Sequence, residues 1–278
     1  MIKYLLIMMR KQERIIKMCV VSFNINPQAD YPFVFIGNRD EFYQRESQPI
    51  HQWPDVPHIY AGRDTEQWGT WLGVTPGGYF ATILNDPNRP QGIVDQPQSR
   101  GNLVRNFLEK EADLDEYLTE LRRQRHNYQG FFLIFGNFDR MYFYSNVQDR
   151  VVVLSQGLHV FSNTEDDMSN FRTYQAKRIL LEHLNSAAST GFNHETCLLD
   201  FHNTERHPNF KTHPKRFSYQ RAYQASSLFI EDDRFGTVGT TMITVDQHGQ
   251  VQMTERRYTP QGVKDQHHLS FQTTIRKV

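Results

Sequence analysis

The chain has 278 residues, with 31 basic and 31 acidic side chains, and therefore no net formal charge at neutral pH. No global field draws it onto nucleic acid or an anionic membrane surface, so neither is expected as a partner. Two cysteines, Cys19 and Cys197, make no disulfide framework and belong to no closely spaced metal motif, which fits a reducing cytoplasm with no metal site.

Residues 1–17 contain Tyr4-Leu5-Leu6-Ile7-Met8-Met9, too short for a stable membrane span. Arg10-Lys11-Gln12-Glu13-Arg14 follows where a signal peptide would have its small-residue cleavage site. The segment reads as an N-terminal extension that is not native or is removed. Gln12-Glu13-Arg14 can be encoded by a purine-rich stretch like a bacterial ribosome-binding sequence, a few codons before Met18. Residues 18–278 read as one domain.

From Met18 onward, short apolar runs alternate with turn chemistry, the pattern of strands in hairpins. Residues 19–23 and 33–36 are expected to pair across Asn24-Ile25-Asn26-Pro27, and residues 69–74 and 79–84 across Thr75-Pro76-Gly77-Gly78. Helical spacing follows at Leu103, Phe107 and Leu108, then at Leu114, Tyr117, Leu118 and Leu121, with Asp113 as the cap. Residues 131–135, 141–144 and 151–154 read as a meander. A longer helix is expected from about residue 169 to 185, with Ala176, Ile179, Leu180, His183 and Leu184 on one side. Three closing strands are expected at 227–230, 240–245 and 251–255, the last two joined by Asp246-Gln247-His248-Gly249. This order implies an α+β domain with helices outside largely antiparallel sheets.

Cys19 is the first candidate for chemistry. Were Met18 lost, the thiol and a free α-amine of pKa roughly 7.7 to 8.0 would share one residue, giving a nucleophile and its base together. An ordinary buried strand cysteine is the competing reading. Asn38-Arg39-Asp40-Glu41 ends the second strand, where a hairpin returns the chain to Cys19. Arg39 there would favour the thiolate and Asp40 would hold the amine, although a surface ion pair would use the same residue types. Asn85 and Asn163 end apolar runs, as oxyanion donors do and as turn formers do. His202, His207 and His213 match no metal spacing, and no Gly-rich loop is built to cradle phosphate.

The order of these residues resembles the NRDE family, also called the transport and Golgi organisation protein 2 family. Met18-Cys19-Val20-Val21, Gly37-Asn38-Arg39-Asp40-Glu41-Phe42-Tyr43, Gly69-Thr70-Trp71-Leu72-Gly73, Asn85, Ser162-Asn163 and Phe235-Gly236-Thr237 follow one another in family order. The family is similar to the N-terminal nucleophile hydrolases, in particular bile salt hydrolases and penicillin V acylases, which implies a four-layer αββα sandwich. By position the resemblance implies Cys19 as nucleophile, Arg39 and Asp40 as its pKa-lowering and amine-orienting neighbours, and Asn85 and Asn163 as oxyanion donors. Two departures stand out: Val238 replaces an Arg that many members carry after Gly-Thr, and seventeen residues precede Met18. The implied function is a cysteine amidohydrolase acting on linear amides, with no cofactor required. The alternatives are a non-enzymatic handler of hydrophobic cargo such as haem or acyl lipid, and an interaction protein on a dead hydrolase fold. Nothing in the sequence indicates an oligomeric state.

Overall fold

The computed structural model describes residues 18–138, 140–163, 167–207, 209, 211–213 and 218–274. The expected N-terminal extension lies outside the described residues. In chain order the elements are β1 (Val20–Ile25), β2 (Phe33–Phe42), β3 (Ser47–Gln52), β4 (Tyr60–Asp64), β5 (Leu72–Val74), β6 (Tyr79–Asn85), α1 (Gly101–Lys110) and α2 (Leu114–Gln124). There follow β7 (Phe131–Asn137), β8 (Arg140–Ser145), β9 (Arg150–Leu154), β10 (Gly157–Ser162), α3 (Asp167–Thr190), α4 (His194–Phe201) and α5 (Tyr219–Gln224). The last three are β11 (Phe235–Val245), β12 (Gln250–Thr259) and β13 (Gly262–Gln272).

The strands form two sheets, ordered β10-β1-β2-β11-β12-β13 and β3-β4-β5-β6-β7-β8-β9, with antiparallel neighbours throughout. Side chains alternate between the two faces of a strand, so each sheet presents two apolar surfaces. Val21, Phe23, Phe35, Ile243 and Met253 of the first sheet meet Leu72, Phe80, Leu84 and Ile134 of the second. The far face of the first sheet carries Val34, Ile36 and Met242 beneath Ala176, Ile179 and Leu180 of α3 and Leu198 of α4. That of the second carries Ala81, Leu133 and Phe135 beneath Phe107 of α1 and Tyr117 of α2. The layers therefore run αββα, as the sequence implied. Each fully buried Phe or Leu contributes roughly 1.5 to 3 kcal/mol.

Local signals placed several elements. The Asp113 carboxylate accepts from the Asp115 and Glu116 N–H groups at 3.0 and 3.1 Å and starts α2. Gly78, at φ 83°, turns the β5–β6 hairpin with its N–H on the Thr75 carbonyl at 3.0 Å. Residues 227–230, expected as a strand, are instead a buried bend with no ladder. Their apolar character reflects burial, and side chains take the carbonyls of Ser227 and Leu228. β11 begins at Phe235, five residues before the expected start, because Gly236-Thr237-Val238-Gly239 carries turn-like composition. β13 alternates polar residues at an exposed sheet edge and so lacks the apolar signal of a strand. Among the described residues no helix is long and apolar enough to cross a membrane.

Candidate active site

Register fixes the site. Val20 of β1 lies opposite Asn38 of β2, which sets Cys19, one residue before the strand, beside Arg39. Antiparallel neighbours share a face, so Cys19, which packs with Val21 and Phe23, and Arg39 point between the sheets. Asn38 and Asp40 point the other way, beneath the helices. The tetrad is thus divided by strand parity.

The helix-side pair is a brace. The Asn38 amide donates to the Leu228 carbonyl at 2.9 Å and accepts from the Thr240 hydroxyl at 2.7 Å. One Asp40 carboxylate oxygen accepts from Arg172 of α3 at 2.5 Å, and the other accepts from Thr237 at 2.7 Å. Arg172 also donates to the Ser227 and Leu228 carbonyls at 2.8 and 3.2 Å. Both side chains of this ion pair are fully buried. Burial raises the Asp40 carboxyl above its ordinary value, while Arg172 and Thr237 pull it down.

On the other face, Cys19, Arg39 and Asn85 line a cavity of about 370 Å³ between the sheets, with Glu41, Trp71, Arg100 and Glu255 among its walls. The Cys19 N–H donates to the Asn163 side-chain oxygen at 2.5 Å, and the Asn163 amide nitrogen donates to the Asn85 backbone carbonyl. Asn163 therefore binds the backbone nitrogen of Cys19, the place expected for Asp40, whose two oxygens are engaged elsewhere. The Asn85 side chain meets no hydrogen-bonding partner among the described residues and belongs to the cavity wall. Gly69 and Thr70 form another stretch of that wall by lying against the start of α1. The Thr70 N–H donates to the Gly101 carbonyl at 3.2 Å, and a Cβ on Gly69 would stand 2.6 Å from the Gly101 carbonyl carbon.

The electrostatics differ from the expected depressed thiol. Burial, then the negative charge of Asp40, pushes the Cys19 thiol up to about 12. The Asp40 backbone N–H and Arg39 act in the expected direction and are outweighed. Glu255 of β12 is pushed up to about 7 by burial, against the Ile50 N–H at 2.9 Å and the charges of Arg257 and Arg39. Among the described residues no three His, Cys, Asp or Glu side chains converge as metal ligands.

A family model described as Transport and Golgi organisation 2 matches residues 18–260, from the residue before Cys19 to the residue after β12. The chain belongs to that family. The Transport and Golgi organization protein 2 homolog of Homo sapiens is 29% identical over 257 residues, covering 86% of this chain and 92% of the human protein. The Transport and Golgi organization protein 2 of Drosophila melanogaster is 29% identical over 126 residues, 41% of this chain and 44% of the fly protein. Among solved structures, a mutant conjugated bile acid hydrolase from Clostridium perfringens superposes with a TM-score of 0.50 at 8% identity, over 93% of this chain and 97% of that one. The fold of this family member is that of the N-terminal nucleophile hydrolases.

Four side chains of the site were not singled out from the sequence. Glu255 had a local signal, a charge in the inward series Val251, Met253, Glu255. Arg172 had one too, because it lies four and seven residues before Ala176 and Ile179 on the buried stripe of α3. Trp71 stood inside a quoted motif without an assigned role. Arg100 had no signal at all, since it joins Cys19 at the cavity through long-range contacts, the packing of α1 against residues 69–70 and its own bond to the Gly130 carbonyl.

Proposed function

We propose that this protein is a cysteine amidohydrolase acting on linear amides, active when Cys19 is the first residue. The observation that carries the reading is Cys19 at the cavity with Asn163 on its backbone nitrogen and the Asn85 side chain unengaged nearby. With Met18 removed, that nitrogen is an amine of pKa roughly 7.7 to 8.0, a base beside a thiol that otherwise stays protonated. The amine takes the thiol proton as sulfur attacks the amide carbon. Asn85 donates to the resulting oxyanion, and Asn163 accepts from the amine and keeps its lone pair towards sulfur. The amine then passes the proton to the leaving nitrogen, the C–N bond breaks, and a water deprotonated by the same amine hydrolyses the thioester. No step in this scheme calls on a cofactor.

Two forms of the chain test it, one beginning at Cys19 and one retaining Met18. Exposed to a thiol-directed amide or lactone probe, only the first is expected to gain and then lose an acyl mass, and Cys19→Ala abolishes the adduct. Labelling of the Cys-first form no faster than a small free thiol overturns the reading.

A further inference from the structure

Arg100 is the cavity arginine without a carboxylate in contact among the described residues, its nearest acidic charges, Glu41 and Asp86, acting from farther away. Its guanidinium donates through Nη1 to the Gly130 carbonyl at 2.8 Å, and no carboxylate among the described residues lies within ion-pairing distance. The other cavity arginines differ. Arg45 has Asp64 at 2.7 Å, Arg63 has Asp55 at 2.6 Å, and Arg39 has Glu41 at 4.0 Å. Arg100 is also largely buried, enough that desolvation draws its pKa down to about 10 against the opposing pull of Glu41, Cys19 and Asp86. A guanidinium largely withdrawn from water with no carboxylate in contact is costly, and this one faces a cavity that can supply a closer anion than Glu41 or Asp86. A second feature points the same way. Arg100 stands at the N-cap of α1, where no side chain caps the helix and no acidic residue occupies the first turn. The positive end of α1 is therefore left unneutralised beside the same space.

We infer that Arg100, backed by the N-terminus of α1, binds a carboxylate on the substrate, so that the amide cleaved at Cys19 carries a single negative charge. The word substrate rests on the hydrolase reading; the anion site does not. One charge is favoured over two because the other cavity arginines are already paired with Glu41, Asp64 and Asp55, which leaves one guanidinium to balance the incoming anion. A volume of about 370 Å³ admits a carboxylate and a modest acyl group together. The planar fork of Arg suits a carboxylate, and a bidentate pair would orient the amide towards sulfur.

The test uses the form that begins at Cys19, where the hydrolase reading makes the thiol reactive, and two alkylating agents that differ in charge, iodoacetate and iodoacetamide. In both, sulfur supplies an electron pair, the S–C bond forms, iodide leaves and the thiol proton passes to solvent. The rate at Cys19 is read by peptide mass spectrometry, and the ratio of the two reagents is divided by the ratio for glutathione. The normalised preference for iodoacetate is expected to be about tenfold or more, to saturate, and to be competed by acetate more strongly than by inorganic phosphate. Arg100→Gln should bring the preference to that of glutathione, while Arg100→Lys keeps part of it. An unchanged preference in a folded Arg100→Gln, or phosphate competing better than acetate, overturns the inference. If Cys19 reacts with neither reagent, the hydrolase reading fails separately, and the anion site is read by tryptophan fluorescence, to which Trp71 of the cavity contributes, titrated with benzoate and with benzamide. A saturable response to benzoate alone that Arg100→Gln removes supports the site; equal responses overturn it.

Discussion

Cys19 carries its proton at neutral pH while Met18 precedes it, because burial and Asp40 outweigh Arg39. Its alkylation by a neutral reagent in that form is expected to rise about tenfold per pH unit through pH 10 with no plateau. In the Cys-first form, hydrolysis should instead level off above the amine pKa, roughly 8. A pH–rate profile of both forms checks this, and a shared midpoint would remove the amine as base. Glu255 makes a second residue-scale prediction with a definite sign. Its folded pKa of about 7 stands above the ordinary 4.5, so its contribution to stability is fully present below pH 4.5 and lost as pH rises through 7. Glu255→Gln keeps an acceptor for the Ile50 N–H and cannot ionise. The variant should match the wild type near pH 4 and exceed it at pH 8 by about 1 to 3 kcal/mol, measured by urea denaturation.

At the scale of elements, the site depends on what holds β2 and α1 in place. Arg172 ties α3 to Asp40 of β2 and to the bend at 227–228 in one set of hydrogen bonds. Arg172→Ala strands a buried carboxylate and is expected to cost about 3 to 5 kcal/mol, read as a lower urea midpoint. Adding Asp40→Asn to that variant should recover part of the loss, since the orphaned charge is then gone. Gly69→Ala forces residues 69–70 away from the start of α1 and should cost about 1 to 3 kcal/mol while widening the cavity by Arg100. The sequence made much of this legible. The β1–β2 hairpin, which sets Cys19 beside Arg39, the Asp113 cap and the β5–β6 turn follow from short-range patterns, whereas the approach of Asn85 and Asn163 to Cys19 was implied only by the family resemblance. Strand parity was overlooked: Arg39 and Asp40 are consecutive in a strand and cannot both face the thiol with their side chains. The roles of Asn163 and Arg100 were hidden for a different reason, because each is set by contacts across long stretches of chain that leave no periodic trace.

At the scale of the whole molecule, the cavity exists only where the two sheets meet, with Cys19 and Arg39 from one and Asn85 and Trp71 from the other. Aromatic rings hold that junction. Phe80 of the second sheet lies 5.0 Å from Phe33, 5.3 Å from Phe35 and 6.5 Å from Phe23, all of the first, between ring centroids. Phe80→Ala opens a cavity at the centre of this cluster and is expected to cost about 3 to 5 kcal/mol, a large part of the stability of an ordinary domain. Because the sheets share one apolar layer, the loss should lower a single transition rather than split it. Trp53, Trp68 and Trp71 all lie in the stretch from the end of β3 to the start of β5, so their fluorescence reports the second sheet. Cys19 reports the first, through the rate at which an excess of neutral alkylating agent reaches its thiol. Titrated with urea, the two signals should move together in the wild type and, at a lower midpoint, in Phe80→Ala. Exposure of Cys19 well before the tryptophan change would mean that the first sheet opens alone, and the site would then owe its shape to the second sheet only in part.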